Sequence, residues 1–580
     1  MSRRFDVRQA CVRRLALYYS CMSVKQIWLS SYPPGVPHEI NARAFSSLKD
    51  MFEHSFARFS DLPAFLNLGA ALTYGEVDKL SRNFAAFVRN NLGLERGDRI
   101  AIMLPNVLQY PVAVIGALRA GLVVVNVNPL YTASELQFQL ADSGAHAIVV
   151  LENFAHTLET ALRKTRVRQV ITTQIADLFP APRRGLLNFA VKRLKHAVPP
   201  WDIPGAIPLR EALREGRYRL LDDERLGPDN IAFLQYTGGT TGRPKGAVLT
   251  HGNLIANVEQ TVAWIGAALR EREETVVTAL PLYHIFALTA NFLVFFRLGG
   301  RNLLITDPRN LRGLLKELSR TRFTAITGVN TLFKALLEAE GFDAVCKANG
   351  GALKLAFTGG MAAQRSVAEA WQSAMGVPLI EGYGLTEASP NVCANRPDAR
   401  EFTGKLGLPL PSTEVAILDE HGQEVAPGQT GEICVRGPQV MREYWNAAEE
   451  TAKAFTADGW LRTGDLGRMD ERGYVEFTER TKDVIVVSGF KAYPNEIEQV
   501  AMLHPGVKDA GAAAIPDERS GEAVALYVVR RDPALTADAL REHCARHLAP
   551  YKRPRLIEFR DTLPKSAIGK VLHRELHAHA

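Results

Sequence analysis

The densest run of chemistry-capable residues is Tyr236-Thr-Gly-Gly-Thr-Thr-Gly-Arg-Pro-Lys-Gly246, set between the apolar run 231–235 and a second short β-like run, 248–250. Gly238, Gly239 and Gly242 let backbone N–H groups converge on phosphate oxygens. Thr237, Thr240 and Thr241 add hydroxyl donors and Lys245 adds positive charge. Such a loop captures a phosphate chain. Its spacing is not GxxxxGK[ST], because the lysine follows Pro244 and precedes the last glycine, so the phosphate loop of kinases and ATPases fails its own motif.

Five further stretches carry carboxylates, aromatics and lysines in glycine-rich settings. They are Leu280-Pro-Leu-Tyr-His-Ile-Phe286, Glu381-Gly-Tyr-Gly-Leu-Thr-Glu387, Trp460-Leu-Arg-Thr-Gly-Asp465, Arg480-Thr-Lys-Asp-Val-Ile-Val-Val-Ser-Gly-Phe490 with Tyr493-Pro-Asn-Glu496, and Pro564-Lys-Ser-Ala-Ile-Gly-Lys570. With the loop they make six motifs in one order. The chain from about Val24 onward thereby resembles the adenylate-forming superfamily, which holds acyl-CoA synthetases, firefly luciferases and peptide-synthetase adenylation domains. Through residues 234–241, 279–288 and 126–131 it is similar in particular to bacterial long-chain fatty-acyl-CoA synthetases.

That resemblance implies a two-step ligation using ATP, Mg²⁺ and coenzyme A. A fatty-acid carboxylate attacks the α-phosphorus of ATP, and the acyl-adenylate then passes its acyl group to the CoA thiol. It implies that Glu387, with Thr240, holds Mg²⁺, that Thr386 contacts phosphate, and that Tyr383 packs on adenine beside Gly360 and Gly384. Asp465 is implied for the ribose, a task that suits a carboxylate because vicinal hydroxyls can donate to its two oxygens; Arg480 assists there. Lys570 is implied as the catalytic ammonium that bridges substrate carboxylate and α-phosphate. His284 is implied near the reacting carboxylate, although a satisfied core histidine explains its residue type as well. Lys482 falls at the hinge position and Gly489 at the pantetheine tunnel of a C-terminal domain that rotates between the half-reactions. Homodimers are common in the family.

These residues need a scaffold. From about residue 48 to 175, helix-like segments alternate with β-branched runs at 99–103, 123–127, 147–151 and 170–173, and the rhythm resumes at 231–235, 276–279, 302–306, 325–327 and 353–358. This is the pattern of a layered α/β domain. Short strands at 414–418, 431–436 and 473–477 predict a small β-rich subdomain. Strands at 484–487, 510–515 and 523–529, with helices at 495–502 and 537–547, predict a final α+β unit. The fold class expected is therefore α/β: a large N-terminal domain of layered α/β subdomains plus a small β-rich subdomain, and a smaller, mobile α+β C-terminal domain. The boundaries expected are 1–21 for a basic extension, with Met22 as an alternative start, 22–480 for the AMP-binding domain, and 481–580 for the C-terminal lid.

Composition narrows the classes. The chain has 580 residues, 47% hydrophobic and 23% charged, which excludes disorder, collagen and simple coiled coil. Net charge is +7, but six basic residues against Asp6 alone lie in 1–25, and nine against Asp177 lie in 163–195. The remainder is net acidic, so no nucleic-acid partner is expected. Six scattered cysteines without a CxxC pair fit a reducing compartment. The uncharged stretches 100–118 and 275–296 are interrupted by Pro105, Pro111, Pro281, His284 and Asn291, so each reads as a buried strand plus core helix.

Within the basic insertion, Leu187, Ala190, Val191, Leu194 and Val198 fall on one helical face. Such a face fits either packing on its own domain or a peripheral contact with an anionic bilayer, at the inner face of a bacterial inner membrane. Ala287, Leu288, Phe292, Leu293, Phe295 and Phe296 have the spacing of an acyl pocket, and core packing predicts the same pattern. Gly328, Val329, Thr358, Gly359 and Gly360 border the acyl site by resemblance. The reading is a cytoplasmic long-chain fatty acid–CoA ligase serving fatty-acid uptake and β-oxidation. Its rivals are a medium-chain or aryl-acid ligase, an adenylate-only ligase, and a non-catalytic fatty-acid or nucleotide-binding relative.

Overall fold

Apolar runs that are buried on both faces fold here as two mainly parallel sheets, the arrangement expected of strands without polar alternation. The computed structural model describes residues 26–237, 244–481, 483–487, 490–517, 519–566 and 571–576. A seven-stranded sheet takes the order Ile207–Pro208, Gln169–Thr173, Ala147–Leu151, Arg99–Met103, Val123–Asn126, Ile231–Thr237, Lys245–Thr250. Its register is set centrally, with Ile100 opposite both Val124 and Ala147. The last pair is antiparallel, with Thr237 paired to Lys245.

A nine-stranded sheet has a parallel centre formed by Leu379–Gly384, Leu355–Gly359, Ala325–Gly328, Thr275–Thr278, Arg301–Leu304 and Pro63–Asn67. Asn391–Ala394 runs antiparallel to Leu379–Gly384, pairing Cys393 with Tyr383. Between the sheets lie the helices Gln109–Arg119, buried along its whole length, and His251–Ile265. Thr250 starts the second with a capping box to Asn253, satisfying N–H groups that the first turn leaves free. Phe52, Phe65, Phe292 and Phe296 pack ring on ring in this core.

The strands Glu414–Leu418, Gly431–Arg436, Leu461–Met469 and Val475–Arg480 form a separate antiparallel sheet. The chain then enters a unit with its own core, including Ile485, Ile497, Leu526 and Leu540. There Gly521–Arg530 pairs with Val507–Asp517 and with Leu556–Phe559, flanked by helices Pro494–Met502 and Ala537–His547. The architecture is α/β with a smaller C-terminal α+β unit.

Neither uncharged stretch spans a membrane: the first becomes strand Arg99–Met103 and helix Gln109–Arg119, and no helix among the described residues is long and apolar enough to cross one. The expected apolar face in the basic insertion is corrected. A helix at Arg183–Phe189 passes into a π turn at Ala190–Leu194, which breaks the 3.6-residue period on which the face was drawn. Leu187 packs on the core, while Leu186, Phe189 and Leu194 are exposed.

Candidate active site

In open parallel sheets, ligand sites lie outside the carboxyl ends of the strands. The strands Leu355–Gly359 and Leu379–Gly384 both end at a cavity of about 460 Å³. Thr237, Lys245, His284, Gly360, Tyr383, Gly384, Thr386, Glu387, Asp465 and Arg480 all line it. The structure thus brings together ten of the expected site residues from sequence positions more than two hundred apart. Gly238, Gly239, Thr240, Thr241, Gly242, Lys482, Gly489 and Lys570 lie outside the described residues.

Asp465 sits opposite Arg480 across neighbouring strands, so the ladder itself presents the carboxylate next to the guanidinium. The Tyr383 hydroxyl donates to Asp465 Oδ2 at 2.7 Å, and Arg480 Nε lies 3.4 Å from Oδ1. Burial first, then the nearby Asp465 charge, pushes the Tyr383 phenol well above its ordinary range, so it stays a donor. The group is a fixed carboxylate with an aromatic ring at its side.

Glu387 lies in the 3₁₀ turn Thr386–Ala388. Its Oε1 accepts from the Tyr444 hydroxyl at 2.6 Å, and its carbonyl accepts from Met441 N–H at 2.6 Å. Lys245 Nζ stands 4.9 Å above the Tyr444 ring and pairs with Glu450 at 2.6 Å. That pairing, together with Lys453, holds Glu450 down at about 2. Glu387, Tyr444 and Lys245 therefore form one connected corner. Gly384 permits it: a Cβ there would stand 2.1 Å from the Pro390 carbonyl oxygen.

His284 also faces the cavity. Its Nδ1 accepts from Phe286 N–H at 3.3 Å, which assigns the neutral ring's proton to Nε2. Burial lowers its pKa to about 4, so near neutral pH it offers an N–H donor rather than a cation. Glu381, at the start of the same motif as Tyr383 and Glu387, is 8% exposed and accepts a long 3.4 Å bond from Ala363 N–H at Oε1. Burial raises its pKa to about 8.

The apolar part of the cavity corrects the expected pocket. Of the run 287–296 only Ala290 and Phe295 line it, and Phe292 and Phe296 are spent on core packing against Phe52 and Phe65. Thr358, Gly359 and Gly360 border the cavity, but Gly328 and Val329 do not. Its apolar walls come instead from Thr261, Trp264 and Ile265 on helix His251–Ile265 and from Ala325, Ile326 and Leu355 at the sheet. Spacing at i, i+3, i+4 was the sequence signal for the helical part. Tyr444 carried no such signal, since it lies in a loop outside every motif.

A family model described as AMP-binding enzyme matches residues 52–445, and one described as AMP-binding enzyme C-terminal domain matches residues 496–570. The chain belongs to the AMP-binding enzyme family. Among members of this family, it is 52% identical over 557 residues to a long-chain-fatty-acid–CoA ligase of Escherichia coli, covering 96% of this chain and 99% of that protein. The ligase of that name from Haemophilus influenzae is 47% identical, covering 95% and 98%, and the one from Bacillus subtilis 36%, covering 96% and 98%. Among AMP-binding enzymes of known structure, a benzoate CoA ligase from Burkholderia xenovorans matches with a TM-score of 0.78 and 26% identity, covering 92% of this chain and 99% of that one. ATP-bound MatB from Rhodopseudomonas palustris matches at 0.74 and 28%, covering 91% and 98%.

Proposed function

We propose that this chain is a long-chain fatty acid–CoA ligase that works in two half-reactions. The observation carrying this reading is a single cavity with two chemical ends: Asp465, Tyr383, Glu387 and Lys245 at one, Trp264, Phe295, Ile326 and Leu355 at the other. A nucleotide suits the first and a hydrocarbon chain the second. The near-full-length similarity to long-chain-fatty-acid–CoA ligases supports the choice of acid.

In the first step the fatty-acid carboxylate attacks the α-phosphorus of ATP and pyrophosphate leaves. Asp465 accepts from the ribose hydroxyls, while Arg480 steadies the carboxylate. His284 Nε2–H is a donor for the substrate carboxylate or the adenylate. Lys570 neutralises the negative charge shared between carboxylate and α-phosphate, acting where charge develops. In the second step the CoA thiolate attacks the acyl carbonyl, AMP leaves, and Gly489 lines the pantetheine approach. Residues 481–580 form the rotating unit, with Lys482 at the hinge.

The donor chemistry at Glu387 fits Mg²⁺, a hard cation usually held by one or two carboxylates plus substrate phosphates. Glu387 with Thr240 would hold it, and it would supply neutralisation of the phosphate charge. Among the described residues no group of three or more metal-ligating side chains is clustered, so the phosphates would complete the coordination.

The reading includes a cytoplasmic location with peripheral contact to an anionic bilayer. Exposed Leu186, Phe189 and Leu194 beside Arg193 and Lys195 support it, since apolar side chains next to cations suit an anionic bilayer surface even without a continuous helical face. The test of the activity is simultaneous measurement of pyrophosphate and acyl-CoA with straight-chain acids of increasing length, and with benzoate and coumarate. The reading expects thioester from the long acids; thioester from the aryl acids alone would replace it with the aryl-acid reading.

A further inference from the structure

The backbone register shows which way the cavity runs. Gly359, Gly360 and Gly384 line it at the carboxyl ends of their strands, whereas Ala325 and Leu355 line it at the amino ends of theirs. Four residues of strand separate the two ends, about 13 Å at 3.3 Å per residue. Helix His251–Ile265 descends alongside in the same sense. Asn257 donates to the Asn391 carbonyl at 2.8 Å, the Thr261 hydroxyl accepts from Asn391, and the Trp264 indole N–H donates to the Asn395 carbonyl at 3.0 Å. Since Asn391–Ala394 is antiparallel to Leu379–Gly384, moving from Asn391 to Asn395 moves away from the nucleotide end. Trp264 therefore stands at the deep end.

Its indole is 1% exposed and held on two sides. Besides the bond to Asn395, the Tyr32 ring meets it edge to face, with centroids 5.2 Å apart and planes at 84°. Tyr32 is fixed in turn, donating its hydroxyl to the Pro409 carbonyl at 2.7 Å. The neighbouring Ser31 donates to the Arg472 carbonyl at 2.8 Å. An aromatic wall braced by a tethered arm yields little to a longer ligand, because packed interiors transmit strain rather than deform freely.

We propose that Trp264, braced by Tyr32, is the end wall that sets the longest acyl chain the enzyme accepts. The proposal rests on the ligase reading above. The test is kcat/KM for acyl-CoA formation with straight-chain acids from six to twenty carbons, on wild type, Trp264→Ala, Trp264→Phe and Ala325→Leu. Trp264→Ala is expected to move the optimum to longer acids, raising the ratio of long to short turnover on the order of tenfold, and Trp264→Phe to move it less in the same direction. Ala325→Leu, which adds bulk at the same depth, is expected to move it to shorter acids, with the KM for ATP unchanged throughout. A merely structural role would lower all acids together. Should Trp264→Ala fail to fold, Trp264→Phe and Ala325→Leu still carry opposite shifts. An active wild type whose chain-length profile is the same in Trp264→Phe and Ala325→Leu overturns the wall. A wild type that releases no pyrophosphate with any acid overturns the ligase reading instead.

Discussion

Asp465 shows how much one carboxylate is asked to do. It is 8% exposed and held by Tyr383 on one oxygen, with Arg480 beside the other, so its orientation is fixed by the fold itself. Hydrogen bonds to a charged group are worth about 1.5–3 kcal/mol. Asp465→Ala is therefore expected to raise the KM for ATP by about one to two decades, read from pyrophosphate release at varied ATP, with the KM for the fatty acid little changed. Glu381 is the opposite case, a carboxyl whose burial opposes ionisation and holds its pKa up at about 8. The unfolded chain loses that proton nearer its ordinary value. The contribution of Glu381 to stability is thus fully present below about 4.5 and is lost as pH rises through about 8. Glu381→Gln is expected to raise the thermal midpoint relative to wild type at pH 9 and to make little difference at pH 5; equal effects at both pH values would contradict the buried neutral carboxyl.

At the scale of elements, the site exists because Leu379–Gly384 ends in a turn too tight for any side chain. A methyl group at Gly384 would stand 2.1 Å from the Pro390 oxygen, far inside contact. Gly384→Ala must push apart Leu379–Gly384 and the following segment, moving Thr386 and Glu387 with them. A loss of about 2–4 kcal/mol in stability is expected, measured by denaturant titration, with adenylation falling at least in proportion. The motifs and strand starts were legible in the sequence because parallel buried strands are continuous apolar runs and the glycine-rich loops have few structural reasons to exist. The strands at 99–103, 147–151, 414–418 and 431–436 appear at those limits. The acyl end was not legible. Phe292, Phe296, Trp264 and Phe295 are equally apolar, and only the crossing of helix His251–Ile265 over the sheet decides which rings face a cavity and which face each other. Nor was the break in the 187–198 face, because a π turn shifts the helical register without changing which residues are apolar.

At the scale of the whole molecule, the two ends of the proposed reaction belong to different units. Glu479, fully buried in the last strand of the four-stranded sheet, accepts from Asn495 N–H at 2.7 Å and from the Asn495 amide at 2.8 Å at the start of helix Pro494–Met502. Beyond that tie, His573 bridges Asp483 at 3.3 Å and Glu498 at 2.7 Å, fixing the chain at His573 to the start of the C-terminal unit. The chain at His573 is thus tied to a unit with its own core, whose residues are distinct from those lining the cavity with Asp465 and Glu387. In the proposed mechanism Lys570 serves adenylation alone, which makes the two half-reactions separable by one substitution. The most direct measurement is therefore pyrophosphate release from palmitate and ATP, alongside CoA thioester formation from supplied palmitoyl-adenylate, for wild type and Lys570→Ala. Loss of at least two decades in pyrophosphate release, on the order expected for removing a transition-state donor, with thioester formation from the adenylate retained, is the predicted result. Pyrophosphate release at the wild-type rate by Lys570→Ala, or none from wild type with any acid, would contradict it.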